Sequence, residues 1–214
     1  MTLAGVDRAA LSELAPVLRR AITLDPRSLI RLRLSSNIAT ALVRLPFRVL
    51  VARTVETRMS MEPVDVTVAA ADALHWLDGE SAEPPPARDA EWRTGLPPGS
   101  GWARVEAVPD DVVRPLVRSG AVALQEAAER EGVPGAQPRA EVADALLDSP
   151  VLTVSDDAGR SAEVTLRTLS ALTRMGFLPR GGQIFVDVAG RWVRVVAEYG
   201  TVYLERPGSG LLLR

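Results

Sequence analysis

Between Gly79 and Gly101 the chain runs through Pro84-Pro85-Pro86 and Leu96-Pro97-Pro98-Gly99-Ser100-Gly101, and neither a helix nor a strand can continue across it. Proline lacks the N–H that both structures use, and glycine carries the largest entropic cost of ordering. The sequence is thereby divided into parts. The predicted fold class is α+β. It comprises an N-terminal helix-plus-antiparallel-sheet lobe over residues 1–78, a Pro/Gly-rich connector over 79–101, and a C-terminal lobe over 102–214 of helices with a small three-stranded antiparallel meander. With 214 residues there is chain enough for two small cores, since domains commonly hold roughly 100–150 residues. Trp92 sits inside the connector. An indole there is expected to anchor the connector onto its own domain, while also offering a handle to a partner.

Periodicity fills in the lobes. Leu11, Leu14, Leu18 and Ile22 recur at helical spacing over Val6 to Ile22, with Pro16 kinking or restarting the helix. Leu32 and Leu34 then alternate with Arg31 and Arg33 in a strand with one wet face, and Ser35-Ser36-Asn37 suits a turn. Ile38 to Leu45, Phe47 to Glu56 and Val64 to Val68 supply further strands, with Pro46 at a strand end or bulge, before an alanine-rich helix over Ala69 to Leu77. In the second lobe a strand over Trp102 to Val108 leads into a helix opened by Asp110-Asp111, and Pro138 starts another through Leu147. Val151 to Val154 reads as a strand, Asp156 to Gly159 as a turn and Leu166 to Met175 as a helix stopped by Gly176. Ile184 to Val188, Trp192 to Ala197 and Thr201 to Leu204 form the meander.

Met175-Gly176-Phe177, Gly190-Arg191-Trp192-Val193, Tyr199-Gly200 and Asp65-Val66-Thr67-Val68-Ala69-Ala70-Ala71-Asp72 resemble recurring features of an uncharacterised conserved family of high-GC Gram-positive bacteria. The resemblance spans much of the chain and implies no activity.

The side-chain inventory removes several chemistries. Without cysteine there are no disulfides, thiolate metal sites or Cys nucleophile, and without lysine no Schiff base and no phosphate-loop lysine. His75 is the one histidine, flanked by Leu74 and Trp76, and a partly buried structural role is expected for it. Asp110-Asp111 and Asp156-Asp157 suit capping and turns, because acid–base work needs carboxyls in different environments. The glycine pairs at Gly99-Ser100-Gly101, Gly181-Gly182 and Gly208-Ser209-Gly210 lack the strand–turn–helix order of a phosphate cradle. No cofactor, no metal and no enzymatic activity are expected.

Charge is uneven. Residues 1–60 hold 10 Arg against 4 acids, residues 61–111 hold 3 against 11, and residues 112–214 hold 12 of each. Internal pairing between the basic and acidic stretches is expected, with Arg31, Arg33, Arg44, Trp92, Arg191 and Arg194 as the candidate interaction surface. The main expectation is a non-catalytic cytoplasmic interaction or scaffold-type protein, with a protein partner or self-association, no membrane span and nucleic acid set aside. The cytoplasm follows from the absence of cysteine and of an uninterrupted apolar stretch within Met1 to Arg20. One alternative is a binder of a small apolar ligand between the first sheet and its helices, with Leu32, Leu34, Val49 and Val51 lining the cavity. The other is a nucleic-acid-binding protein using the arginine-rich sheet face, or the helix from Leu166 with the hairpin bearing Arg191 and Arg194 in the manner of a winged helix.

Overall fold

A computed structural model of the chain describes Leu3, Val6, residues 8–130 and residues 140–206. It is an α+β protein dividing into two compact units, Met1–Leu96 and Pro97–Arg214.

In the first unit a 3-10 turn over Arg8–Leu14 runs into α1, Ala15–Leu24. Pro16 stands at the start of α1, where its missing N–H has no helical partner to lose, so the proline restarts the helix rather than bending it. Two long antiparallel strands follow, β1 at Leu29–Arg44 and β2 at Leu50–Ala69, and then α2 at Ala70–Leu77. The register sets Ile30, Leu32 and Leu34 opposite Val68, Val66 and Val64, which puts one apolar row inward and leaves Arg31 and Arg33 on the other face. Leu11, Leu14, Leu18, Ala73 and Trp76 of the helical segments are buried, and α2 and the 3-10 turn both contact β2.

The several short strands predicted here are thus one hairpin. Ser35-Ser36-Asn37 is not a turn: Ser36, at φ 52°, forms a bulge within β1 and pairs across to Met61. The chain reverses instead at Leu45–Val49, where the Leu45 amide donates to the Val49 carbonyl at 2.9 Å. Pro46 lies inside that reversal. The proline-rich stretch holds a 3-10 turn at Asp89–Glu91. Its Arg88 amide donates to the Thr67 carbonyl at 2.7 Å, and the Thr67 amide donates to Asp89 Oδ1 at 2.6 Å.

The second unit begins with β3, Ala103–Pro109, and α3, Asp110–Arg130, followed by α4 at Ala140–Asp148. Pro138, expected to start a helix, lies outside the described residues, as does Gly208-Ser209-Gly210. Then come β4 (Pro150–Ser155), β5 (Ser161–Thr165), α5 (Leu166–Arg174), β6 (Gln183–Ala189), β7 (Trp192–Ala197) and β8 (Gly200–Glu205). The predicted three-stranded meander gains β3 as a fourth strand, in the order β8-β7-β6-β3, and β4 pairs with β5 in a separate hairpin.

Ile184, Val186, Val193, Val195 and Val202 point inward beneath Leu169 and Leu172 of α5. Each such buried aliphatic side chain is worth about 1.5–3 kcal/mol against exposure. Helix α5 starts at Thr165, whose hydroxyl accepts from the Thr168 amide, and ends at Gly176, whose φ of 65° permits the Phe177 amide to reach back to the Leu172 carbonyl. α3 meets α5 at Gly120, where a Cβ would stand 2.2 Å from Leu166 Cδ1.

Candidate functional site

Each arginine singled out on the two sheets has a polar or acidic partner. Arg31 donates Nε to Asp65 Oδ1 at 2.6 Å and Nη2 to Oδ2 at 3.0 Å, and its guanidinium lies over the Trp92 ring at 5.9 Å. Arg33 stands directly opposite Asp65 in the register, 3.5 Å from Oδ2. The Arg31 hydrogen bond holds the Asp65 carboxyl below its ordinary range. Arg44 donates to the Thr94 hydroxyl at 3.3 Å.

In the second unit Arg191 donates to Glu205 at 2.6 Å. Arg194 donates to Asp187 at 2.8 Å and lies over the Trp102 ring at 4.3 Å. Arg104 takes the other oxygen of Asp187, a carboxylate whose side chain is 2 % exposed, so two arginines clamp one buried acid. The Arg31–Asp65 pair joins the basic stretch to the acidic one, as the expected internal pairing has it, and the carboxylate pairs on the two sheets offset the arginine charge there.

Burial limits what the helix from Leu166 can present. Leu166, Arg167, Thr168, Leu169, Ala171 and Leu172 are all buried, so of α5 only Ser170, Thr173 and Arg174 keep exposure. Nor is His75 partly buried: its side chain is 65 % exposed, 3.6 Å from Glu80. Leu32, Leu34, Val49 and Val51 are buried in the first unit. Among the described residues no group of three acids or histidines could hold a metal ion, and no helix is long and apolar enough to cross a membrane. Asp156 accepts from the Ala158 and Arg160 amides and from Arg160 Nε, which is turn chemistry.

A different set of arginines stands on the helical side of the second unit. Arg114 and Arg118 lie one helical turn apart on α3, Arg174 ends α5, and Arg180 follows in the loop to β6. Among the described residues Arg118, Arg174 and Arg180 have no carboxylate within salt-bridge distance, and all three are exposed. A depression of about 520 Å³ is lined by Arg114, Arg118 and Arg180 together with Asp110, Asp111, Val117 and Thr173.

Its walls are tied together. Asp110 donates its amide to the Gly182 carbonyl at 3.0 Å and accepts the Gly181 amide on Oδ2 at 3.1 Å, so the loop carrying Arg180 is stapled to the first turn of α3. Arg114 donates Nε to Asp110 Oδ2 at 2.7 Å and Nη2 to the Leu178 carbonyl at 3.0 Å. That guanidinium, with the Gly181 amide, keeps the Asp110 carboxyl below its usual range. The Thr173 hydroxyl donates back to the Leu169 and Ser170 carbonyls, which leaves guanidinium N–H groups as the donors facing the depression. Single sequence positions gave no sign of this set. The available signal was the i, i+4 spacing of Arg114 and Arg118 without an acid at the matching position after them.

The sequence profile of a family described as "Domain of unknown function (DUF8185)" matches residues 97–209, and that of a second, "Domain of unknown function (DUF8010)", matches residues 1–94. No curated protein is significantly similar in sequence. Among solved structures the chain is similar to the DNA polymerase sliding clamp of Pseudomonas aeruginosa, with a TM-score of 0.54 and 15 % identity over 95 % of this chain and 63 % of that one. It is similar also to the clamp of Caulobacter crescentus, at TM-score 0.54 and 13 % identity over 94 % of this chain and 64 % of that one. The Helicobacter pylori beta clamp bound to a DNA ligase peptide gives TM-score 0.55 and 13 % identity, over 92 % and 64 % of the two chains. The chain therefore spans less than two thirds of the length of the clamps it matches.

These likenesses correct two expectations. A scaffold-type protein that leaves nucleic acid aside gives way to the nucleic-acid alternative, because the fold is one found in sliding clamps of DNA polymerase. Setting nucleic acid aside on the strength of the net charge was the error: a sum over the chain does not say where the unpaired cations stand.

Proposed function

The chain belongs to the family described as "Domain of unknown function (DUF8185)", and since that description carries no activity, we propose a role from its fold and its unpaired charge: a non-catalytic DNA-associated protein. It meets the phosphate backbone through Arg118, Arg174 and Arg180 on the helical side of the C-terminal unit. The observation that carries this reading is that, within the C-terminal unit, these three exposed arginines lack carboxylate partners while Arg191 and Arg194 on the sheet have them. Guanidinium groups with free N–H edges suit phosphate oxygens, and contacts of this kind are independent of base sequence. The likeness to sliding clamps supports the same class of ligand.

The test is fluorescence anisotropy of a labelled duplex across a salt series. Binding should weaken linearly with the logarithm of salt, and each phosphate contact adds about 0.9 to the slope. Neutralising all three arginines should flatten the line and leave different duplex sequences equally bound. Affinity that ignores salt, or that survives the triple substitution unchanged, would exclude the reading.

A further inference from the structure

We infer that the depression between the start of α3 and the Arg180 loop is a seat for a single phosphate group, held jointly by Arg114, Arg118 and Arg180. The inference rests on the DNA-binding reading for the source of that phosphate, a backbone phosphodiester, but the geometry of the seat stands by itself.

Three features distinguish this place from a scatter of surface arginines. First, the arginines converge from separate segments, Arg114 and Arg118 from α3 and Arg180 from the loop before β6, on one concavity of about 520 Å³. Second, the convergence is built in. The Asp110 amide and carboxylate hold Gly181-Gly182, next to Arg180, against α3, and Arg114 donates two hydrogen bonds, to Asp110 and to the Leu178 carbonyl, that fix its guanidinium. A guanidinium has five N–H donors, so Arg114 keeps three for a ligand while already being immobile. Third, the acids present have separate roles. Asp110 is consumed in positioning Arg114 and the loop, whereas Asp111 lines the depression with no cation partner among the described residues.

Removing the Asp110–Arg114 pair from the balance leaves Arg118 and Arg180 facing Asp111, a net single positive charge. That leaves a net attraction for a phosphate-bearing anion. Asp111 then acts against anions in general, and its neutralisation should tighten them.

The test uses the full chain, with inorganic pyrophosphate and a labelled duplex as separate probes. Arg118→Gln and Arg180→Gln are exposed changes and should leave the melting temperature unaltered. Pyrophosphate measured by calorimetry should bind the natural chain saturably, weaken about tenfold in either variant, and tighten severalfold in Asp111→Asn. With duplex, the two single variants and the double variant should each lower the salt slope by about 1, because all three lose the same phosphate.

Pyrophosphate binding that ignores both arginines, or slopes that add to about 2 in the double variant, would overturn the seat while leaving DNA binding intact. Pyrophosphate binding with the expected pattern but no duplex binding at low salt would overturn the DNA reading instead, and assign the seat to a free phosphate-bearing molecule.

Discussion

Arg167 on α5 donates its Nε–H to Asp148 at the end of α4 at 2.7 Å, although the Arg167 side chain is 1 % exposed and that of Asp148 is 56 % exposed. A second carboxylate, Asp144, accepts from Nη2 at 3.0 Å. Burial opposes the charge on Arg167, but the hydrogen bonds it donates to its two carboxylate partners outweigh it and raise its pKa. The cation is inside and its partners are outside.

That asymmetry fixes which substitution is harmful. Asp144→Asn with Asp148→Asn strands a buried guanidinium and should cost about 2 kcal/mol, with allowance for the solvent-screened carboxylates. Arg167→Met removes the buried charge itself and fills the same volume, so its cost should stay within about 1 kcal/mol. Urea unfolding of the two variants decides the order. A greater loss in Arg167→Met would mean that the pairs, and not the avoided desolvation, hold α4 to α5.

Gly120 and Gly200 should resist the commonest stabilising change. In an exposed helix, glycine to alanine gains about 1 kcal/mol. At Gly120, however, the new Cβ would lie 2.2 Å from Leu166 Cδ1, and at Gly200 it would lie 2.6 Å from the Phe177 ring. Overpacking of this kind typically costs about 1–3 kcal/mol, so both alanine variants should melt lower. Leu166→Ala should recover part of the loss in Gly120→Ala and none of it in Gly200→Ala, a double-mutant contrast readable by thermal melting.

Some of this was legible in the sequence because local rules and tertiary packing agreed. The β6–β7–β8 meander alternates in step with its turns, and Gly176 stops α5 by a backbone geometry that glycine adopts freely. The long β1–β2 hairpin was not legible, because Ser35-Ser36-Asn37 has turn composition and only pairing with the β2 backbone converts it to a bulge. Likewise β5 is a five-residue strand whose inward pair, Ala162 and Val164, is too short to show a period. Candidate residues suffered from the same limit. The partners of Arg31 and Arg194 are not legible in sequence because Asp65 and Asp187 lie 34 and 7 positions away, and Arg118 and Arg180 look ordinary because the missing acid is a three-dimensional fact.

The Arg31–Asp65 pair gives a pH signature. Hydrogen bonding to Arg31 lowers the Asp65 pKa below its ordinary 3.8. A carboxyl more acidic in the folded chain than in the unfolded one stabilises the fold above the unfolded value and loses that contribution as pH falls through the folded one. Asp65→Asn should therefore melt lower than the natural chain at neutral pH, with the gap constant down to about pH 5 and closing below 3.8. A gap that widened in acid would mean that Asp65 is not held as the carboxylate.

Arg194 and Arg118 should separate stability from binding in opposite directions. Arg194 shares Asp187, 2 % exposed, with Arg104 and covers the Trp102 ring, so Arg194→Gln leaves a buried carboxylate with one partner fewer. Loss of a hydrogen bond to a buried charged group costs about 1.5–3 kcal/mol, and the variant should melt lower while its duplex-binding salt slope stays that of the natural chain. Arg118 is exposed and has no carboxylate partner among the described residues, so Arg118→Gln should keep the melting temperature and lose about 1 from the slope. Measured side by side, a slope change in Arg194→Gln at temperatures where it is fully folded would move the phosphate contacts to the sheet face. The crossed result would keep them on the helices, because a guanidinium whose charge a carboxylate already offsets adds little to counterion release from DNA.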